Sequence, residues 1–141
     1  MVDQERVDRL LSLVSDDLRQ LAEYREHGVG VDGDRTELAA TKYYFITAIE
    51  GCARIAHHLI ASEGWAIAET NADAIRRLAE QDVIDESTAA SVASAVGFRN
   101  ILVHGYAEVD DSRVTANLEQ LNDLENFVRG VATWLSQQAS T

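Results

Sequence analysis

Arg99, Asn100, His104 and Tyr106 fall within eight residues of one another in the stretch GFRNILVHGY, set among apolar residues that should be buried. These side chains bring a permanent cation, an amide, a titratable imidazole and a phenol to one place. Such a set suits cleavage of RNA without a metal. A histidine takes the proton from a ribose 2′-hydroxyl, a second histidine protonates the leaving oxygen, and an arginine stabilises the charge developing on phosphorus. An Arg-x4-His pair alone is expected roughly 0.3 times by chance in a chain of this composition. Adding the Asn and the Tyr lowers that to on the order of 0.0003.

Helical geometry shapes this reading. Asn100 and His104 are four apart and share a face, so the amide can orient the imidazole. Arg99 lies about 140° around the axis from His104. Two copies meeting across a twofold axis would bring the arginine of one chain to the histidine of the other and supply the second imidazole, so a homodimer is expected. Gly105 should end the helix in the left-handed conformation, placing His104 at the negative end of the helix dipole, which favours the imidazolium. A lone histidine before glycine is most simply a cap on terminal carbonyls; the four-residue constellation shifts the balance towards chemistry.

The elements that must hold this motif are legible as helices. Val7, Leu10, Leu11, Val14, Leu18 and Leu21 recur at helical spacing and predict a first helix over about residues 3–26. HGVGVDGD breaks it with three glycines. Asp34 and Glu37 resemble a capping box for a second helix from about Arg35 to Ser62, apolar on more than one side and therefore central. Thr70 and Asp73 can cap a short third helix, and Asp85 or Ser87 a fourth that runs into the motif. A last helix carries Val114, Leu118, Leu121, Val128, Val131 and Leu135. The expected fold is all-α, an antiparallel bundle of four long helices plus a short one, forming a single domain over residues 1–141.

Bulk properties narrow the function classes. The 141 residues suit one core, and 46% are hydrophobic with no proline to interrupt a helix. No apolar run reaches the ~18 residues of a membrane span, and MVDQERVDRL is too charged for a secretory signal. With one cysteine, Cys52, there is no internal disulfide, so a reducing cytoplasm fits. A net charge of −12 repels phosphates; no DNA contact is expected, and any RNA contact must be local and specific. All but Lys42 of the 12 cationic residues are arginine, whose planar fork suits local anion recognition.

Other features carry less. His57 and His58 are adjacent, point about 100° apart on a helix and cannot ligate one metal as an i, i+4 pair would. Asp32-Gly33-Asp34 lacks the glutamate of a calcium loop at its twelfth position, where Tyr43 sits. No metal and no cofactor are expected. Trp65 and Trp134 read as anchors at a helix junction and an interface, and His27 before Gly28 as a helix cap.

The segment GFRNILVHGYAEVD resembles the Arg-x4-His-x-Tyr signature of the HEPN superfamily, in particular its HepT ribonuclease toxins. The likeness extends through YYFITAIEGCARIAHHLIA, LAEQDVIDESTAASVASAVGFRN and YAEVDDSRVTANLEQLNDLENFVRGV, while EGWAIAETNADAIRR lacks the proline common in that loop. The resemblance implies a helical homodimer with a composite cleft in which Arg99 and His104 are catalytic and Asn100 supports them. It implies a partner, an MNT-type nucleotidyltransferase antitoxin, that silences the toxin by transferring AMP from ATP to Tyr106. Glu50 occupies a second-helix position where relatives tend to carry a polar or acidic residue near the site; it equally suits a pair with Arg54, four residues on. The alternative function is a non-catalytic HEPN module that binds a nucleotide or a partner.

Overall fold

The apolar stripe of the first helix requires a partner helix, and a computed structural model of the chain supplies it. Residues 2–28, 35–105 and 110–139 are described. They form six helices, with no strand among them: α1 (Gln4–His27), α2 (Arg35–Glu63), α3 (Asn71–Glu80), α4 (Glu86–His104), α5 (Asp111–Leu118) and α6 (Leu121–Ala139). Among the described residues no helix is long and apolar enough to cross a membrane.

Helix α1 starts where the Asp3 carboxylate accepts a hydrogen bond from the Arg6 amide, and ends at Gly28 with φ 71°. Its buried stripe of Val7, Leu11, Val14, Leu18 and Leu21 lies along α2. The two helices are antiparallel, because contacts pair Asp3 with His58, Val14 with Gly51 and Asp17 with Thr47. Gly51 permits the close approach. A Cβ there would lie 2.5 Å from Val14 Cγ2, and Val14 is itself buried and stiff at its branched Cβ.

Helix α2 is the axis of the fold and touches α1, α3, α4 and α6. Phe45, Ile49, Cys52, Ile55, Ala56, Leu59 and Ile60 are all buried along it, as an apolar pattern on several sides requires. Burial pushes the Cys52 thiol up to about 12, so it is a packing group and not a thiolate. Thr70 caps α3 by accepting from the Asp73 amide, and Asp85 caps α4 by accepting from the Thr88 amide. Hydrogen bonds from the Thr88 amide and hydroxyl hold the Asp85 carboxyl below its ordinary value.

Two expectations change. The single closing helix is two, because Glu119 and Gln120 make i to i−3 bonds to Ala116 and Asn117, and Asn117 gives its side-chain amide to the Arg113 carbonyl. The bundle therefore has two short helices, α3 and α5. Trp134 is buried in the chain's own core, edge-on to Trp65 at 5.8 Å, so this chain already covers it without an interface. The capping residue Asp34 and the DGD turn lie outside the described residues.

Gly51→Ala should lower stability by about 1–3 kcal/mol through overpacking at Val14, and Gly51→Ala with Val14→Ala should recover part of it. Urea unfolding of the two variants measures this. A Gly51→Ala chain as stable as wild type would show that α1 and α2 are not in close contact there.

Candidate active site

The motif occupies the last turns of α4, and its position is set by Phe98. This residue is 4% exposed and meets Phe45 of α2 edge-on, with ring centroids 5.4 Å apart. Burying Phe98 against α2 brings the next residue, Arg99, to the α2 surface near Glu50. The Arg99 Nε donates to Glu50 Oε1 at 3.1 Å, its Nη2 donates to the same oxygen, and its Nη1 donates to Asn100 Oδ1 at 3.0 Å. All three guanidinium nitrogens are thus engaged. The side chains of Arg99 and Glu50 are only 21% and 32% exposed, so the pair is partly withdrawn from water.

Glu50 therefore binds Arg99, 49 positions away in the chain, in preference to Arg54 on its own helix. Arg54 is exposed and makes no ion pair among the described residues. Asn100 also differs from expectation. Its amide oxygen serves Arg99 rather than His104, because an arginine fixed against α2 reaches the neighbouring amide directly.

His104 is the last residue of α4, exposed, and its imidazole makes no hydrogen bond among the described residues. It stands at the carbonyl end of the helix, as expected. Gly105 does not take the left-handed conformation: at φ −80° and ψ −2° it extends the helical path, and its amide bonds to the Ile101 carbonyl at 2.7 Å. Tyr106 lies outside the described residues.

Beside Glu50, α1 contributes Asp17, which no sequence pattern marks. Its Oδ2 accepts from the Thr47 hydroxyl at 2.6 Å, and its carboxyl is raised, chiefly by burial, against the lowering effect of that hydrogen bond. Tyr43, Thr47, Glu50 and Arg54, spaced at i, i+4, i+7 and i+11, form one stripe of partly exposed, hydrogen-bonding side chains beside the buried positions Phe45, Ile49, Cys52 and Ile55 of α2. That stripe is the signal in the sequence that an isolated motif search passes over.

The two remaining histidine candidates are structural. His57 Nε2 bonds to Asn71 Oδ1 at 2.9 Å, and His58 Nε2 accepts from the Asp3 amide at 3.4 Å. No group of three metal-ligating side chains occurs among the described residues.

The family model of Ribonuclease HepT-like proteins matches residues 7–131, which takes in the whole of this arrangement. The chain belongs to the HepT-like ribonuclease family. Among relatives of this HepT-like chain, the mRNA nuclease HepT of Shewanella oneidensis is 31% identical over 80 residues, 56% of this chain; the match spans 60% of that relative's length. Its fold is shared with a tri-AMPylated Shewanella oneidensis HEPN toxin solved in complex with an MNT antitoxin, at a TM-score of 0.84 and 22% identity over 94% of this chain and 99% of that one. It is shared equally with the cytosolic protein YutE of Bacillus subtilis, at a TM-score of 0.85 and 14% identity over 97% and 93% of the two chains.

Glu50→Ala removes the acceptor of two charge-assisted bonds and leaves Arg99 partly buried and unpaired. It should destabilise the chain by about 1–3 kcal/mol, whereas Arg54→Ala should stay within about 0.5 kcal/mol of wild type. Equal losses in urea unfolding would mean that Glu50 divides itself between the two arginines.

Proposed function

We propose that this chain is the ribonuclease toxin of a toxin–antitoxin pair, cutting RNA without a metal at a cleft completed by a second copy. The observation that carries the proposal is the state of the motif: Arg99 held in place by Glu50 and Asn100, with His104 exposed and its imidazole uncommitted one helical turn beyond Asn100. Membership of the HepT-like family and the fold shared with a toxin held by an MNT antitoxin support it.

In this reading one imidazole removes the proton of a ribose 2′-hydroxyl. The freed oxygen attacks phosphorus, the O2′–P bond forms and the P–O5′ bond breaks. The imidazolium of the partner copy gives its proton to the departing O5′, leaving a 2′,3′-cyclic phosphate and a 5′-hydroxyl. Arg99 faces the growing charge on the phosphoryl oxygens with its remaining N–H donors. Asn100 and Glu50 are positioning residues, since each acts through Arg99.

The partner in this reading is an MNT-type nucleotidyltransferase that transfers AMP from ATP to Tyr106 and releases pyrophosphate. The adduct adds anionic bulk beside the cleft, which blocks RNA and competes for Arg99. The toxin acts in the cytoplasm as a single domain. The net charge of −12 favours a second reading, a HEPN module that binds a nucleotide or partner through the same arginine without cleaving anything.

Purified protein in excess EDTA should cut RNA to 2′,3′-cyclic ends, and Arg99→Ala or His104→Ala should slow this by about 10²–10⁴-fold. RNA left intact by the unmodified wild type would decide for the binding module, and RNA cut equally well by both variants would take the cleavage away from Arg99 and His104. Incubation with ATP and the cognate transferase should add AMP to the intact mass, and Tyr106→Phe should abolish the gain; adducts retained in Tyr106→Phe would place the modification elsewhere.

A further inference from the structure

The polar stripe of α2 does not end at the arginine site. Leu13, Asp17, Tyr43, Thr47, Glu50 and Arg54 are among the residues lining a groove of about 300 Å³ between α1 and α2, with Glu50 common to the groove and to the Arg99 site. That volume is at the small end for ligand sites, with room for a nucleobase. Two of its walls are apolar and open to solvent: Tyr43 is 61% and Leu13 62% exposed. Tyr43 is held edge-on by Tyr44, with centroids 5.7 Å apart at 69°, which makes it a positioned ring.

The polar groups are matched to a nucleotide. Arg54 is exposed and has no ion-pair partner among the described residues, and Glu50, four residues before it on the same helix, pairs with Arg99. Its planar fork suits a phosphate. Asp17 uses Oδ2 for the Thr47 hydroxyl, and its other oxygen has no described partner. A carboxylate only accepts, so it favours a base edge that presents donors. Adenine, cytosine and guanine carry an exocyclic amine with two N–H donors, whereas uracil offers a single imide N–H flanked by two carbonyl oxygens that a carboxylate repels. From Tyr43 to Arg54 the stripe runs about 16 Å, long enough for more than one nucleotide.

We propose that this groove is the subsite for single-stranded RNA flanking the cleaved bond, with Tyr43 stacking on a base whose exocyclic amine faces Asp17, and Arg54 on a backbone phosphate. The proposal rests on the reading of RNA as substrate and adds to it a preference that the motif alone does not provide. Stacking on an aromatic ring together with edge recognition is the general way proteins read unpaired RNA bases.

The test is fluorescence anisotropy of end-labelled oligoadenylate, oligocytidylate and oligouridylate with the His104→Ala chain, in which the RNA stays intact. Tyr43→Ala in that background should weaken binding roughly ten-fold. Arg54→Gln should weaken it too and reduce the slope of log affinity against log salt by about 0.7. Asp17→Asn should narrow the preference for the amine-bearing oligomers over oligouridylate. Unchanged affinities in all three variants, or no RNA binding at all, overturn the subsite. So does a change of oligomeric state in Tyr43→Ala or Arg54→Gln by light scattering, which would make the groove a contact between copies. Cleavage by wild type alongside unaffected variants sinks only the subsite, whereas groove-dependent binding without cleavage by wild type sinks only the ribonuclease.

Discussion

The contact between Arg99 and Glu50 is the constraint on which the rest of the arrangement depends. It joins the end of α4 to the middle of α2, with two guanidinium nitrogens donating to one carboxylate oxygen. An ion pair in water contributes little, and a fully buried one costs more in desolvation than it returns. At intermediate exposure the pair keeps part of its attraction without the full cost, and it leaves the second Glu50 oxygen uncommitted. The hydrophobic frame does the heavier work of bringing these groups together. Phe98 on Phe45 sets the separation of α4 from α2, and Gly51 lets α1 close on the helix that carries Glu50.

This constraint also bears on a chain of net charge −12 that is proposed to handle RNA. The global field opposes a polyanion, so affinity must come from a few cations held where phosphate arrives. Arginine fixed in advance loses less freedom when it binds, and the donors it presents need no rearrangement as charge develops. Glu50 gives Arg99 that fixity at the expense of part of its charge.

Much of this was legible in the sequence, and the limits have physical causes. The stripe of α1, the all-round apolar character of α2 and the caps at Thr70 and Asp85 follow from local rules, because their determinants lie within one or two turns. The division between α5 and α6 was hidden, since Leu118 and Leu121 continue the apolar period across two residues that have left the α-helix. Gly105 was misjudged because permission for the left-handed region is not a requirement to use it. The roles of Asn100 and Glu50 were harder still. Each has a plausible partner four residues away, His104 and Arg54, and each binds Arg99 instead. Spacing ranks partners on one helix and is silent about a second helix lying alongside.

The orientation of the motif gives the last step. Arg99 turns inward to α2 of its own chain, whereas His104, about 140° further around the helix, is exposed at the tip of α4, with no hydrogen bond to its imidazole among the described residues. A single chain therefore offers an anchored cation on one side and an exposed imidazole on another, and only one imidazole where the proposed cleavage uses both an acid and a base. Moving His104 onto the arginine's face would require unwinding the last turn of α4, where Gly105 still bonds Ile101. The second copy of the proposed reading, related by a twofold axis, would bring its own exposed imidazole and avoid that cost. The rigid placement of Arg99 thus favours completion of the site by symmetry over rearrangement within one chain.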